Sequence, residues 1–341
     1  MRPSPAPSPD TPRGALDIGR AHDAAGRLLV AATSYHEAVR LAEAMADGRV
    51  LAEALRRLGV VQHRLGAERL ARDLCRQSHL EALKLSDPVL AGEGLNALGG
   101  FHFEAGEIAA ARGFFLEALA LGESSASLSG RVEQNLGILD SVQGRHDDAC
   151  RRYRAAVRLF EQAGEQGGCA IAYHNLGLTA LRRGELAEAE GWLDRSLAIA
   201  RRSGDVYLEG LCLVHRAEIS HARREYPDAM RSAQAALEGF ERLRDRRAQS
   251  DACKVLGKIH RDTGRPTQAE ERLRTAVALA VETDWLLGKA EASRELARLQ
   301  ADLGRRHDAL SLLSDARDLF QRLEAQPDVE DVVHRIAVLV A

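Results

Sequence analysis

The sequence predicts an all-α chain, an array of about eight antiparallel helical hairpins followed by one terminal helix. Three recurrences predict it. A small residue follows a Leu-like residue at Ile18-Gly19, Leu58-Gly59, Leu98-Gly99, Leu136-Gly137, Leu176-Gly177, Arg216-Ala217, Leu256-Gly257 and Leu296-Ala297; the spacing is forty residues except between Gly99 and Gly137, where it is thirty-eight. Seven positions later stand Gly26, Gly66, Gly106, Gly144, Gly184, Gly264 and Gly304, with Arg224 as the exception. Five positions after that every unit has an alanine: Ala31, Ala71, Ala111, Ala149, Ala189, Ala229, Ala269 and Ala309. A fixed period of this length is the mark of a solenoid, in which each supersecondary unit buries its apolar face only against its neighbours.

Taken in chain order, residues 1–13 are Pro/Ser-rich and predict a disordered tail, and the eight units run over 14–329. Within a unit the first small residue lies where two helices cross most closely, and the recurrent alanine is its counterpart on the second helix. The intervening glycine ends the first helix in the left-handed conformation that glycine reaches cheaply. Both helices are amphipathic: Leu95, Leu98, Gly99 and Phe103 share a face of one, Phe114, Phe115, Ala118 and Leu119 a face of the next. Between units, Asp47, Asp87, Glu165, Asp205, Asp245 and Asp284 are placed to cap the following helix and to favour its positive end. The two residues missing from the short interval fall in the Ser-rich connector 123–130. Residues 330–341 form a ninth first helix, either a cap or a partner-binding surface.

Composition narrows the function classes. Hydrophobic residues make up 45% of the chain and aromatics only 4%, so burial relies on small and aliphatic side chains packed at close range. The net charge of −3, with 28% charged residues of both signs, lacks the basic excess of a general nucleic-acid binder. No window has the ~18 apolar residues of a membrane span. Cys75, Cys150, Cys169, Cys212 and Cys253 form no C-x-x-C pair and read as small core residues in a reducing compartment, which together with the missing signal-peptide core predicts a cytoplasmic protein. His215 and His221 are six apart and share no helical face, and no H-E-x-x-H, G-x-S-x-G, P-loop or dinucleotide fingerprint occurs, so the sequence predicts neither metal, cofactor nor enzymatic activity.

With Asn175-Leu176-Gly177, Gly184-Glu185-Leu186, Ala189 and Ser196-Leu197, the units resemble the tetratricopeptide repeat. The forty-residue period is similar to that of kinesin light chains, Pins-type scaffolds and bacterial Rap regulators. The aromatic often found three residues after the first small position is absent, replaced by His22, Gln62, His102, Asp140, Ala180, Ser220, His260 and Gln300. The resemblance implies a right-handed superhelix whose first helices line a concave groove for a peptide. It implies a protein-interaction scaffold or adaptor, or alternatively a peptide-responsive regulator of a signalling partner. Rap regulators carry an N-terminal helical bundle, whereas here the repeats begin almost at once.

Candidate groove residues follow from the first-helix positions. Asn96, Gln134, Asn135, His174 and Asn175 fall there, and Asn135 and Asn175 precede the Leu-Gly pair in a manner similar to the peptide-clasping asparagines of that family. An Asn amide both donates and accepts, so such residues either hold a peptide backbone or tie neighbouring helices together. Lys254, Lys258 and Arg261 at i, i+4 and i+7, with Arg294 and Arg298 one unit later, form a candidate basic patch for an acidic peptide or a chain terminus. The alternative is a solvated face neutralised by Asp251, Glu291 and Glu295. On the terminal helix, Val333, Ile336 and Val340 are more apolar than a wet cap requires; they pack on the eighth hairpin or meet a partner, including a second copy.

Overall fold

The computed structural model describes residues 9–341, so the expected disorder of 1–8 lies outside the described residues. Seventeen α-helices and no strand occur among the described residues. The chain divides into two compact units. The first holds α1 (Pro12–Ala24), α2 (Leu28–Ala44), α3 (Gly48–Arg64), α4 (Glu68–Lys84), α5 (Pro88–Glu104), nearly all of α6 (Ile108–Leu121) and α7 (Ala126–Val142) as far as Asn135. The second holds 106–108 and, from Leu136, the end of α7, α8 (His146–Ala163), α9 (Gln166–Arg182), α10 (Leu186–Ser203), α11 (Val206–Ala222), α12 (Tyr226–Leu243), α13 (Arg246–Asp262), α14 (Pro266–Glu282), α15 (Leu286–Asp302), α16 (Arg306–Arg322) and α17 (Gln326–Val340). Within each unit, helices adjacent in sequence pack on one another, the geometry of consecutive hairpins.

The small residues have the predicted role, with a refinement. A Cβ on Gly59, Gly177 or Gly257 would lie 3.0, 3.2 and 3.4 Å from the carbonyl oxygens of Ala71, Ala189 and Ala269, so the recurrent alanine does bring its backbone to the crossing. The nearest side chain, however, stands one turn further along. The same added atom would fall 2.5 Å from the Tyr35 ring at Gly19, 2.5 Å from Phe115 at Gly99, 2.6 Å from Tyr153 at Gly137 and 2.5 Å from Leu273 at Gly257. Glycine thus makes room for a large apolar residue sixteen positions on. In the sixth unit, where Ala217 replaces glycine, that later position holds Ala233, and both are fully buried.

Loop chemistry differs from expectation at three places. The glycines at 26, 66, 106, 144, 184, 264 and 304 all have positive φ, and Arg224 takes the same conformation at φ 62°. An L-residue there costs about 1–2 kcal/mol, so Arg224→Gly should raise stability by about 1 kcal/mol in urea unfolding. Asp47, Asp87, Asp205 and Asp245 accept from the amides of Val50, Leu90, Leu208 and Ala248 at 2.9–3.1 Å. Glu165 occupies the N-cap of α9 without a side-chain cap bond, and Asp284 is not a cap: it is the left-handed residue (φ 48°) and Trp285 takes the N-cap. The shortened interval comes from α6, which has 14 residues where α4 has 17, while Ala126–Gly130 of the expected connector already belongs to α7.

The ends also differ. α1 begins at Pro12 with Thr11 accepting from Gly14 N, so helix reaches into the segment expected to be tail. α17 begins at Gln326 rather than Glu330, because Pro327 falls in the first helical turn, where its missing N–H is not needed. In the first unit Leu16, Tyr35, Leu55, Leu58 and Val61 form the main core. In the second, Leu193, Leu197 and Leu208 form one cluster and Phe240, Leu256 and Ile259 another. All five cysteines are buried and free.

Candidate binding site on the first helices of the second unit

Four successive first helices, α9, α11, α13 and α15, line a cavity of about 430 Å³. Leu178, Leu181, Leu211, Trp285 and Leu287 supply apolar wall; His174, Arg182, His215, Glu218, Lys254, Lys258, Glu291 and Arg294 supply polar groups. They converge because the forty-residue period returns equivalent helix positions to the same face: Asp251, Glu291 and Asp331 are one position in three consecutive units, and Lys254 and Arg294 are the position one turn later.

The sequence-predicted bases are not a free basic patch. Lys254 Nζ, 12% exposed, bonds Asp251 Oδ1 at 2.9 Å and also Glu291. Lys258 Nζ meets Glu218 Oε1 at 3.1 Å, and Glu218 also takes His215 Nδ1 at 3.0 Å. Arg294 pairs with Asp328, and with Asp331 at 3.6 Å, while Arg182 reaches Glu291 at 3.4 Å. Arg261 and Arg298 lie elsewhere, in a second cavity of about 520 Å³ bordered by α17, and both pair with Glu295, at 2.8 and 3.5 Å. The expected single patch is therefore divided between two cavities that meet at Glu295, each interleaved with carboxylates. Sequence reasoning missed Glu218, Arg182, His215 and Trp285 as members of the site; the forty-residue spacing of Asp251 and Glu291 was the one signal of an acidic ladder running beside the bases.

Electrostatics follows from this interleaving. Burial alone disfavours the Lys254 ammonium, yet Asp251, Glu291 and Glu218 outweigh it and raise its pKa above the usual lysine value. Burial opposes ionisation of Glu291, but Lys254 and Arg182 bring its pKa down to about 2. Glu218 is likewise held well below the carboxylate range, chiefly by Lys258 against its burial. Asp251 goes the other way: burial, with Glu291 beside it, raises it despite Lys254.

His174 is 5% exposed, and burial followed by the neighbouring His215 lowers its pKa to about 3. The two rings lie 4.9 Å apart. His174 Nδ1 is 3.2 Å from Asn175 Oδ1, which can only accept, so Nδ1 carries the proton and Nε2 is a lone-pair acceptor. His174 Nε2 and Asn175 Nδ2 are both buried and have no hydrogen-bond partner. The unfolded histidine, at its ordinary 6.5, takes up a proton that the folded one refuses. Stability is therefore complete above pH 6.5 and is lost as pH falls from there toward 3, with a slope of up to about 1.4 kcal/mol per pH unit from this group. Urea unfolding across that window should show a shallower loss in His174→Gln.

The remaining predicted groove residues, Asn96, Gln134 and Asn135, lie in the first unit. Asn135 Nδ2 donates to Asn96 Oδ1 at 2.9 Å, tying α7 to α5, and Gln134 Oε1 is buried without a partner. In the second unit His221 bonds Asp262 at 2.8 Å, so His215 and His221 engage different carboxylates. No helix of the described residues is long and apolar enough to cross a membrane.

Comparison with known proteins agrees with this architecture. Two family models, each described as tetratricopeptide repeat, match residues 127–202 and 255–329. The search of curated proteins finds no match. Among solved structures, a Rap protein complexed with competence and sporulation factor is similar at 14% identity and TM-score 0.65, over 96% of this chain and 97% of that one. NprR in complex with its cognate peptide NprX is similar at 15% identity and TM-score 0.59, over 72% of each chain. A chain of the APC/C hetero-tetramer Cut9–Hcn1 is similar at 15% identity and TM-score 0.57, over 94% of this chain and 58% of that one.

Proposed function

Because this chain is a tetratricopeptide-repeat protein, we propose that it is a non-enzymatic interaction protein that binds a peptide segment of a partner in the cavity between α9, α11, α13 and α15. The repeats and the likeness to Rap and NprR support a protein-interaction scaffold or a peptide-binding regulator. The observation that carries the finer reading is His174: a neutral, buried acceptor without a protein partner, at the wall of a cavity lined by both apolar and charged side chains, is a standing free-energy deficit that a ligand donor removes. The adjoining Asn175 also has an unmatched donor, Nδ2, but does not line the cavity. An extended segment whose backbone N–H donates to His174 Nε2 removes the deficit.

Charge balance refines the ligand. The cavity lining holds four bases, Arg182, Lys254, Lys258 and Arg294, and four carboxylates, Glu218, Asp251, Glu291 and Glu295. A purely acidic peptide displaces one set of partners and leaves the other unmatched. A segment with an apolar anchor against Leu211 and Trp285, flanked by both charges or by a terminal carboxylate facing Arg182, fits without that loss.

A random peptide library selected on the intact chain, with selected peptides resynthesised and titrated by calorimetry, tests the reading. Binding should weaken at least tenfold in His174→Leu and stay unchanged in Asn96→Ala. Equal affinity for all variants would place the binding surface elsewhere. The regulator reading has one observation of its own. Within the second unit Gln143 Nε2 donates to Glu324 Oε2 at 2.6 Å, although the two are 181 residues apart. If ligand binding acts on that contact, Gln143→Ala changes peptide affinity; a scaffold leaves it unchanged.

A further inference from the structure

We propose that the first unit carries an oxyanion site of its own, in which Arg56 and Arg57 of α3, with Arg20 of α1, receive the phosphoryl group of a phosphorylated ligand. Arg56 stands at the register position that His174, Lys254 and Arg294 occupy in later units, where it lines the cavity between first helices. Its surroundings repeat those of Lys254 as well. Lys254 has Asp251 one turn earlier and Glu291 on the next first helix, and bonds both. Arg56 has Glu53 one turn earlier and Glu93 on the next first helix, and hydrogen-bonds neither.

Both carboxylates are engaged by other bases. Glu53 accepts from Arg20 and, at 3.1 Å, from Arg57 Nε, while Glu93 accepts from Arg131. Arg56 is left with an approach of 3.7 Å to Glu93; its side chain is only 17% exposed, and its Nε is buried without a hydrogen-bond partner. Arg20 Nε is buried and unmatched too. The charge is undercompensated as a result: burial lowers the pKa of Arg56 against the pull of Glu93, and Arg57 adds to the fall, whereas Lys254 at the same register position is raised. A buried ionised group whose donors lack partners is held at a cost that an incoming anion relieves.

Charge decides which anion. Arg13 pairs with Asp17 and Glu53, and Arg20 bonds the same two carboxylates, so on α1 and α3 the guanidiniums of Arg13, Arg20, Arg56 and Arg57 gather around Asp17 and Glu53. That cluster has two positive charges more than negative ones. A carboxylate brings one charge and two oxygens. A phosphoryl group brings about −1.5 to −2 near neutral pH and three strong acceptor oxygens, which matches both the excess and the unmatched N–H groups of Arg20 and Arg56. Guanidinium is suited to it because its donors lie in a fixed planar fork that takes phosphate oxygens in pairs.

Isothermal titration of inorganic phosphate and of acetate into the full chain, near neutral pH and at constant ionic strength, tests the site. Phosphate should bind at least tenfold more tightly than acetate, Arg56→Met should weaken it at least tenfold, and His174→Leu in the second unit should leave it unchanged. In phosphate-free buffer Arg56→Met should melt no lower than wild type, because it removes a buried charge without removing a hydrogen bond; an arginine kept for structure alone would lower the melt. A phosphoserine peptide that binds more tightly than free phosphate assigns the group to a protein segment, and one that binds more weakly assigns it to a small phosphate; both support the site. No binding of phosphate, equal affinity for acetate, undiminished binding to Arg56→Met, or a lower melt of that variant overturns the proposal.

Discussion

Lys254→Met should lower the unfolding free energy by about 3–5 kcal/mol, the cost of removing one partner from a buried charge group. The ammonium is the only cation bonded to both Asp251 and Glu291 among the described contacts, and its loss leaves two carboxylates facing each other in a poorly hydrated cavity. Glu291, held near a pKa of 2 chiefly by this lysine, then loses most of what keeps it ionised. The double variant Lys254→Met with Glu291→Leu should recover most of the stability, since an apolar replacement of a buried pair is often neutral. Urea unfolding of wild type, single and double variants measures this. A single variant within 1 kcal/mol of wild type would show that water reaches these groups as it reaches a surface pair, where ~0–1 kcal/mol is usual.

Gly99→Val should cost about 3 kcal/mol or more, at the upper end of overpacking effects. Its first added carbon would lie 2.5–2.6 Å from two atoms of the Phe115 ring, which is 2% exposed. The ring has no room to swing aside, so the hairpin must open. Gly113 in α6 provides the opposite case: an added Cβ meets nothing within 4 Å, and the backbone is ordinary helix. Gly113→Ala should stabilise by about 0.5–1 kcal/mol through reduced freedom of the unfolded chain. Thermal melts of the two variants should move in opposite directions. A common direction would contradict the placement of Gly99 at the helix crossing.

These cases mark how far the sequence could be read. The register of Gly99 was legible because a forty-residue recurrence of one small residue is a one-dimensional pattern. Phe115 was read as part of the apolar face of the next helix but not as the residue that covers Gly99, because position sixteen varies among Tyr, Cys, Phe, Leu and Ala and shows no identity to count. Likewise Lys254, Lys258 and Arg261 were legible as one helical face, but their division between two cavities depends on how α13, α15 and α17 pack. Arg261 and Arg298 line the cavity bordered by α17, while Lys254, Lys258 and Arg294 line the one shared with α9 and α11, Arg294 also pairing with Asp328 and Asp331 of α17.

The asparagines show the same limit. Asn135 and Asn175 have the same local sequence, each preceding Leu-Gly, yet Asn135 is bonded to Asn96 while Asn175 keeps an unmatched amide. The difference has two sources: α5 offers an amide oxygen to Asn135, whereas His174, the preceding residue on the same helix, takes the oxygen of Asn175 and leaves its nitrogen.

The sequence by itself determined the hairpin count, the crossing positions and the left-handed loops, because each follows from which residue types tolerate close approach or positive φ. It also contained the apolar face of Val333, Ile336 and Val340, since hydrophobic spacing on one helix is local information. Only the tertiary structure decided which carboxylate answers which base and that His174 is buried and neutral. Those depend on distances across helices, which are fixed by the rotation of each helix about its own axis, and packing against the neighbours sets that rotation.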